Sequence, residues 1–554
     1  MAAVPLSTPF EKRLLQNGDK FLQELSKQTE SKYRTCCLLA NSSKCPGEFM
    51  IIAHKLLESL KLKFSTEEET IVIDALNQLK CDIDLSSLLG PVSSITDSVV
   101  YIKLNRPIIF KETIIDTLRY LAASCASFIT DADVIVCPHF DTKKSSLKVS
   151  METGRLLMAA KLLSKLFNTM PCLLTERKLI DSSPLLSSLL SPFESRVYSS
   201  EGLRREEFLK NLRPWYEEPS SSIKVIAELF LKEKSLYGRN KFSRNINKIE
   251  VETSEASLTG AGHLGLRIYQ TIVEKNKQQT KLVIPTTQGL AYLTQQAAVL
   301  ALMAASSKKI DITTSLSILE VSHITYVNGD ACDLESYVQS RYQCTKDASE
   351  IKEFEVESIS SKMADAAVKF EVLSTPLKNP LKLVLPTQAS EFSVYLEGTF
   401  VMYNYARMAT LERNYRDSIS KGVYPAQPQP QDIDYFLLND EDEWELLYSY
   451  ILLYPSMLRD ATKLTGSIIA TNTMNKLPQF LIKLCHLFSS YYSRVKILLP
   501  PEPHLFPLIH ARMTLVIALK QASLLMCPIV TIHWILQVLF NGLQILGISP
   551  LEKL

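Results

Sequence analysis

Glycine is scarce: sixteen in 554 residues, about 3% where globular chains average about 7%, which disfavours Gly-dependent turns and bulges and points to a helix-rich chain. No C-x-x-C pair occurs among the eleven cysteines. A zinc or redox site of that kind is excluded, and reduced, intracellular thiols in a cytoplasmic protein are the expectation. The first residues, Met1 to Glu11, contain no apolar segment of the kind a secretory signal needs. Net charge is nearly absent as well, because 61 Lys+Arg stand against 59 Asp+Glu and leave +2. Any surface for a polyanion must then be a local patch. G-x-S-x-G, H-E-x-x-H and G-x-x-x-x-G-K-[ST] are all missing, which removes the geometry of serine hydrolases, zincins and P-loop enzymes. No cofactor and no metal ligand set is expected. The longest apolar run, Ala522 to Phe540, is interrupted by His533, Gln537 and Pro528, so no membrane span is expected there either.

What is present is ordinary globular material, 46% hydrophobic and 22% charged, in a chain long enough for roughly three or four domains. Residues 1 to about 95 read as helical, with Phe21, Leu22, Leu25 and then Ile51, Ile52, His54, Leu57 and Leu60 at three-and-four spacing. A β-like run, Val99 to Leu104, precedes a helix through Leu118 to Leu121, so residues 1–128 form a small α+β module. Buried-strand patterns at Asp133–Cys137 and Lys281–Pro285 precede the amphipathic segments Met151–Phe167 and Leu290–Ala305, and a further strand-like run covers Leu316–Val327. That alternation predicts a parallel α/β domain over 129–350. A connecting helical segment, 351–394, and a purely helical region, 395–554, complete the chain, with strands stopping after about 355.

Three local patterns invite chemistry. Gly260, Gly262 and Gly265 spell G-x-G-x-x-G between a β-like run and a helix, the context of a dinucleotide fingerprint. The next strand ends without the acidic residue that would hold a ribose, so an ordinary strand-to-helix turn is the better reading. Asp432 to Glu445 holds seven acids, and with Asn439 and Asp440 at an N-cap position these suit the first turn of a helix. Lys232 to Lys248 carries Arg239, Lys241 and Arg244 among six cations, with Tyr237 and Phe242 interleaved. Phosphate neutralisation with base stacking and a solvated loop fit that segment equally well.

The helical third bears the sharpest pattern. Gly398 to Arg407 follows G-x-x-x-x-Y-x-x-A-R, Phe488 to Arg494 follows F-x-S-x-Y-x-R, and Ala511-Arg512-Met513-Thr514-Leu515 follows A-R-x-x-L. Val538-Leu539-Phe540-Asn541-Gly542-Leu543 with Leu546-Gly547-Ile548 closes the series, and Ala364-Asp365-Ala366-Ala367-Val368 precedes it. In this order the segments resemble the DALR anticodon-binding bundle of arginyl-tRNA synthetases. The resemblance implies a class I, Rossmann-type α/β domain ahead of the bundle. It also brings a departure: Leu147-Lys148-Val149-Ser150-Met151 stands where the H-x-G-H signature would fall, and K-M-S-K survives only as Ser361-Lys362-Met363. Without the imidazoles that stabilise the phosphate transition state, amino-acid activation is not expected. A second departure is Ala522 to Gln537, sixteen residues interposed before the last helix, which Pro528 should break.

A degenerate α/β domain with an intact bundle is similar to the non-catalytic DALR anticodon-binding domain-containing proteins. That similarity implies binding of arginine tRNA and partnership with a tRNA methyltransferase that makes 3-methylcytidine in the anticodon loop, with no DNA and no membrane partner. The other readings are a residual arginine-tRNA ligase that binds ATP and a purely structural interaction subunit. On the predicted helix at Leu396–Arg416, Phe400, Tyr403 and Arg407 fall at i, i+3 and i+7, one stripe able to stack an unpaired base and meet a phosphate. Phe400 reads better as core. The expected RNA contacts are Tyr403, Asn404, Arg407, Tyr491, Arg494 and Arg512, with Arg239, Lys241 and Arg244 as secondary phosphate contacts.

Overall fold

The computed structural model describes residues 13–14, 16, 20, 33–38, 49–53, 69–82, 88–95, 99–123, 134–140, 149–167, 169, 171–173, 194–195, 201–215, 222–237, 242, 245–252, 258, 260–275, 280–306, 316–327, 331–347, 353–384, 397–466, 468–520 and 538–551. Its N-terminal part is a four-stranded antiparallel sheet of β1 (Tyr33–Leu38), β2 (Phe49–Ala53), β3 (Leu89–Ile95) and β4 (Val99–Leu104), in the order β1-β2-β4-β3. Helix α1 (Glu69–Asp82) packs on β3, with Val72 and Leu76 one turn apart and fully buried, and α2 (Arg106–Ala123) follows β4. The helical reading of residues 1–95 is therefore corrected in part. Ile51 and Ile52 lie in β2 opposite Val100 and Val99, because adjacent β-branched residues gain cross-strand partners that a short helix could not offer. Phe21, Leu22, Leu25, His54, Leu57 and Leu60 fall outside the described residues.

The α/β part opens with β5 (Val134–Val136) and α3 (Met151–Leu166). Ser150 caps α3 by accepting the Thr153 N–H, and Glu152 sits in its first turn, a favourable place for a negative charge. Then come α4 (Glu201–Leu212), the antiparallel pair β6 (Ser222–Ile226) and β7 (Lys248–Glu252), α5 (Gly260–Lys275), β8 (Lys281–Thr287), α6 (Ala291–Ala305) and β9 (Leu316–Val321). Strands β5, β8 and β9 are parallel, with Leu282 beside both Ile135 and Leu316. Leu282 to Pro285 and Leu316 to Leu319 are buried without alternation, as a parallel sheet covered on both faces requires. The G-x-G-x-x-G segment does not join this sheet by a crossover, since the strand before it, β7, pairs among the described residues with β6 alone. Two of its glycines serve close packing instead: a Cβ on Gly262 would meet Val251 at 2.6 Å, and one on Gly265 would meet the Ala297 carbonyl oxygen at 3.0 Å, whereas Gly260 takes a left-handed φ of +54° with open space around it.

Beyond β9 lie β10 (Ile324–Tyr326), α7 (Leu334–Asp347), α8 (Glu353–Leu373) and β11 (Leu381–Leu383), which pairs with β10. The bundle consists of α9 (Glu397–Ser420), α10 (Glu441–Glu445) running into a π-helical stretch Leu446–Leu452, α11 (Tyr454–Thr462), a hairpin of β12 (Leu464–Thr465) and β13 (Ile469–Asn472), α12 (Lys476–Arg494), α13 (Phe506–Lys520) and α14 (Val538–Leu546). Strands thus continue past residue 355. More than that, β13 pairs parallel with β9, Ile318 beside Ile469, so the helical region contributes a strand to the α/β sheet, whose order is β12-β13-β9-β8-β5. Four residues, two of them the polar Thr471 and Asn472, carry too short a pattern to announce a strand; the open edge of β9 supplies the partner. The interposed run 522–537 lies outside the described residues.

Two close approaches fix the assembly. On α9, a Cβ at Gly398 would stand 2.4 Å from the Ala366 carbonyl oxygen of α8, so only glycine lets the two helices cross here. The N-terminal module leans on the bundle through α2: Phe110 meets Trp444 edge to face at 5.7 Å, and Arg106 lies 5.1 Å from the same indole while pairing with Glu441 at 2.6 Å. Among the described residues no helix is long and apolar enough to cross a membrane.

Candidate nucleic-acid interface

The helix α9 turns Val401, Met402, Tyr405, Met408, Leu411 and Tyr415 into the bundle, which leaves Phe400, Tyr403 and Arg407 along its flank. Tyr403 is 43% exposed. The Arg407 guanidinium lies 4.6 Å from the Tyr403 ring centre and 4.9 Å from that of Tyr492 on α12, so it is held between two aromatic faces. One terminal nitrogen donates to the Tyr403 hydroxyl at 2.9 Å and the other to the Ser489 hydroxyl at 3.4 Å. Phe400 extends the row by stacking, tilted, on His486 at 4.7 Å, and is itself half-buried against the core. A cation flanked by tyrosines stays in place without a carboxylate partner, and the solvent faces of Tyr403 and Tyr492 are flat, rigid platforms. Such a surface suits an unpaired base beside a phosphate.

The remaining bundle residues expected to touch RNA are elsewhere. Tyr491 is fully buried, and its hydroxyl donates to Glu443 at 2.8 Å. Arg512 is mostly enclosed; its Nε donates to the same carboxylate oxygen at 2.8 Å and a terminal nitrogen donates to the Lys496 carbonyl at 3.2 Å. Glu443 in turn closes the capping box of α10 by accepting the Asp440 N–H. One buried carboxylate thereby ties α10, α12 and α13 together, and burial beside that carboxylate pushes the Tyr491 phenol far above its ordinary range. Arg494 is half exposed but pairs with Asp442 and, at 3.6 Å, with Asp440. Asn404 faces inward, fully buried, with Nδ2 donating to the Phe400 carbonyl one turn back at 2.9 Å. Asn404, Tyr491 and Arg512 are therefore corrected to structural residues, while Arg494 stays at the surface with Asp440 and Asp442 as its ion-pair partners. The run of acids at 432–445, expected to serve a helix start, does so at Asp440 and also neutralises the neighbouring cations.

The structure brings Tyr492 and Ser489 to Tyr403 and Arg407 in their stead. A signal for Tyr492 existed. Buried positions on α12 include Leu477, Leu481, Leu484, Phe488 and Tyr491, a four-three-four-three count that seats Tyr491 inside, while the row one residue on, Pro478, Ile482 and Cys485, leaves the core before it reaches Tyr492. In the basic segment, Phe242 is buried and the Tyr237 hydroxyl donates to Asn247 at 2.7 Å. Lys232 pairs with Glu228 and Lys234 with Glu233, so its aromatic residues are packing, not stacking platforms. Arg239, Lys241 and Arg244 lie outside the described residues.

At the place of the missing H-x-G-H, Ser150 is the helix cap and Met151 is fully buried in the first turn of α3. The surrounding polar groups at the strand ends bond to one another: His139 Nδ1 to Thr294 at 2.7 Å, Thr294 to Thr286 at 2.8 Å, and His323 Nδ1 to Gln288 at 2.9 Å. The Ser361-Lys362-Met363 fragment lies within α8.

Residues 401–526 match the model of the DALR anticodon binding domain. The chain is 36% identical over 194 residues to the DALR anticodon-binding domain-containing protein 3 of Mus musculus, a match covering 34% of this chain and 32% of that protein. The Danio rerio protein of the same name is 31% identical over 220 residues, 38% of this chain and 39% of its own length. The matched part thus spans about a third of the length of these curated relatives. Among solved structures, the arginyl-tRNA synthetase of Plasmodium falciparum superposes with a TM-score of 0.60 at 12% identity over 100% of both chains. That of Thermus thermophilus gives 0.57 at 12% identity over 98% of this chain and 100% of its own. The fold is that of a class I arginyl-tRNA synthetase, a parallel α/β domain followed by a helical bundle.

Proposed function

We propose that this chain is a non-catalytic, cytoplasmic tRNA-binding adaptor that recognises arginine tRNA and supports 3-methylcytidine formation in the anticodon loop by a partner tRNA methyltransferase. The observation that carries RNA binding is the Tyr403–Arg407–Tyr492 stack on the flank of a bundle that matches an anticodon binding domain. Two tyrosine faces accept unpaired bases of any identity, and the guanidinium between them reaches a phosphate. Selection among tRNAs and the methyltransferase partner rest on the resemblance to DALR anticodon-binding domain-containing protein 3. The absence of aminoacylation rests on Ser150 and Met151, which offer no imidazole to a reacting phosphate.

Filter binding to arginine tRNA and to another tRNA across a salt series, followed by ATP–pyrophosphate exchange with arginine, tests the reading. Salt-sensitive binding selective for arginine tRNA without exchange is expected. Exchange activity turns the reading into a residual synthetase, and failure to bind RNA turns it into a structural subunit. Affinity capture with identification of a co-purifying methyltransferase tests the partnership.

A further inference from the structure

Both helices that carry the Tyr403–Arg407–Tyr492 stack are fastened to parts of the chain that precede the bundle. Helix α9 crosses α8 where Gly398 meets Ala366, and Tyr403 and Arg407 stand five and nine residues further along. Helix α12 grows out of β13, the strand added to the α/β sheet. There Ile469 and Ala470 lie beside Ile318 and Leu319 of β9, and the Ile318 N–H donates to the Ile468 carbonyl at 2.7 Å. Asn472 closes that strand. Its buried carboxamide donates to the Ala461 and Lys463 carbonyls at 2.8 and 3.1 Å and accepts the Met474 N–H at 2.7 Å, so the turn into α12 is tied to the end of α11. One turn into α12, Gln479 Nε2 donates to the Ser374 carbonyl, just beyond the end of α8, at 2.8 Å. Gln479 itself is exposed.

From Gln479 to Tyr492 the helix runs 13 residues, about 20 Å at about 1.5 Å per residue, so a tilt of about 3° at the fastened end moves the Tyr492 ring by about 1 Å. That is a large shift against the 4.9 Å that separates Arg407 from the same ring. A platform already in place spares the complex the cost of ordering it. We propose that the α/β sheet sets the RNA site: β13, Asn472 and Gln479 position α12 and, through it, Tyr492 against Arg407. This rests on the RNA-binding reading above and gives the domain that lacks the H-x-G-H imidazoles a task in it. Asn472 and Gln479 are positioning residues, acting through Tyr492 and not on the RNA.

The experiment measures arginine tRNA affinity and melting temperature for the full chain, Gln479→Ala, Asn472→Ala, Tyr492→Ala and the two double variants that add Tyr492→Ala. Binding is read well below the lowest melting temperature. Gln479→Ala removes one surface hydrogen bond and should weaken binding about three- to tenfold; Asn472→Ala, which frees the turn, should weaken it about tenfold or more. In the Tyr492→Ala background each should cost less than about twofold, because a helix without its platform has nothing left to position. Costs that are the same with and without Tyr492 mark a merely structural role and refute the proposal, as does Gln479→Ala binding like wild type. Should Asn472→Ala not fold, the Gln479→Ala cycle decides by itself. Refutation of either kind leaves the bundle reading standing as long as Tyr492→Ala weakens binding. If wild type binds no tRNA at low salt, or Tyr492→Ala binds as tightly as wild type, the stack and this proposal fall together.

Discussion

Tyr491 and Tyr492 are neighbours in the chain and belong to opposite chemistries. Tyr491 looks inward to Glu443, where Arg512 on α13 meets the same carboxylate and the charge is spent on holding three helices together. Tyr492 looks outward and shares a guanidinium with Tyr403. Each cluster pairs tyrosine with arginine, yet among the described residues only the inner one has a carboxylate. That difference separates a structural hub from a surface able to receive an anionic partner: a buried cation must be neutralised at once, whereas one flanked by aromatic faces remains available.

The contrast is open to direct attack, beginning at the hub. Glu443→Ala leaves Arg512 and the Tyr491 hydroxyl without their shared acceptor, and chemical denaturation should show a loss of about 3 to 5 kcal/mol, the cost of breaking a buried pair. Gly398→Ala drives a methyl into the Ala366 carbonyl region and should cost about 1 to 3 kcal/mol by overpacking, read as a lower denaturation midpoint. On the outer side, Tyr403→Ala and Tyr492→Ala should each weaken tRNA binding by about 1 to 3 kcal/mol, the worth of one stacked base. Their denaturation midpoints should match wild type within experimental scatter; a large drop there would make Tyr492 a core residue and erase the distinction.

Smaller effects sharpen the inner cluster. Tyr491→Phe keeps the ring but leaves Glu443 one donor short, and about 1 to 3 kcal/mol should disappear from stability while tRNA affinity is unchanged. The smallest effect belongs to His510, whose Nδ1 lies 2.6 Å from the Tyr415 hydroxyl and whose pKa burial lowers below 6.5. A folded value below the unfolded one gives stability that is present above 6.5 and lost as pH falls through the folded value. Melting temperatures taken from pH 7 to pH 5 should fall less for His510→Asn than for wild type.

Much of the architecture was legible. The parallel strands announced themselves as short unbroken apolar runs, β5 at Val134 and β8 at Leu282, and the bundle's opening and closing helices by ordered motifs at Gly398–Arg407 and Val538–Gly547. The N-terminal sheet was less so, because Ile51 and Ile52 fit a helical count as well as a pleat. Strand β13 was not legible, since Ile469 to Asn472 takes strand form through its pairing with β12 and β9. Of the bundle residues expected to touch RNA, Tyr403 and Arg407 belong to one stripe of one helix and stay at the surface, as does Arg494, which is held there by Asp440 and Asp442. Asn404, Tyr491 and Arg512 have side chains suited to RNA, but each stands on the core side of its helix, and residue type alone does not record that side.

Local pattern along the chain, then, determined that an α/β domain of parallel strands precedes a helical bundle, and that the imidazoles of a class I signature are missing. Periodicity and residue identity are properties of a single segment. Which arginine is neutralised and which remains open was decided only when α10 brought Glu443 to α12 and α13, while α9 laid Arg407 against Tyr492. Those partners are 48, 69 and 85 residues apart in the chain, and charge compensation depends on distance in space, which no pattern along a segment records.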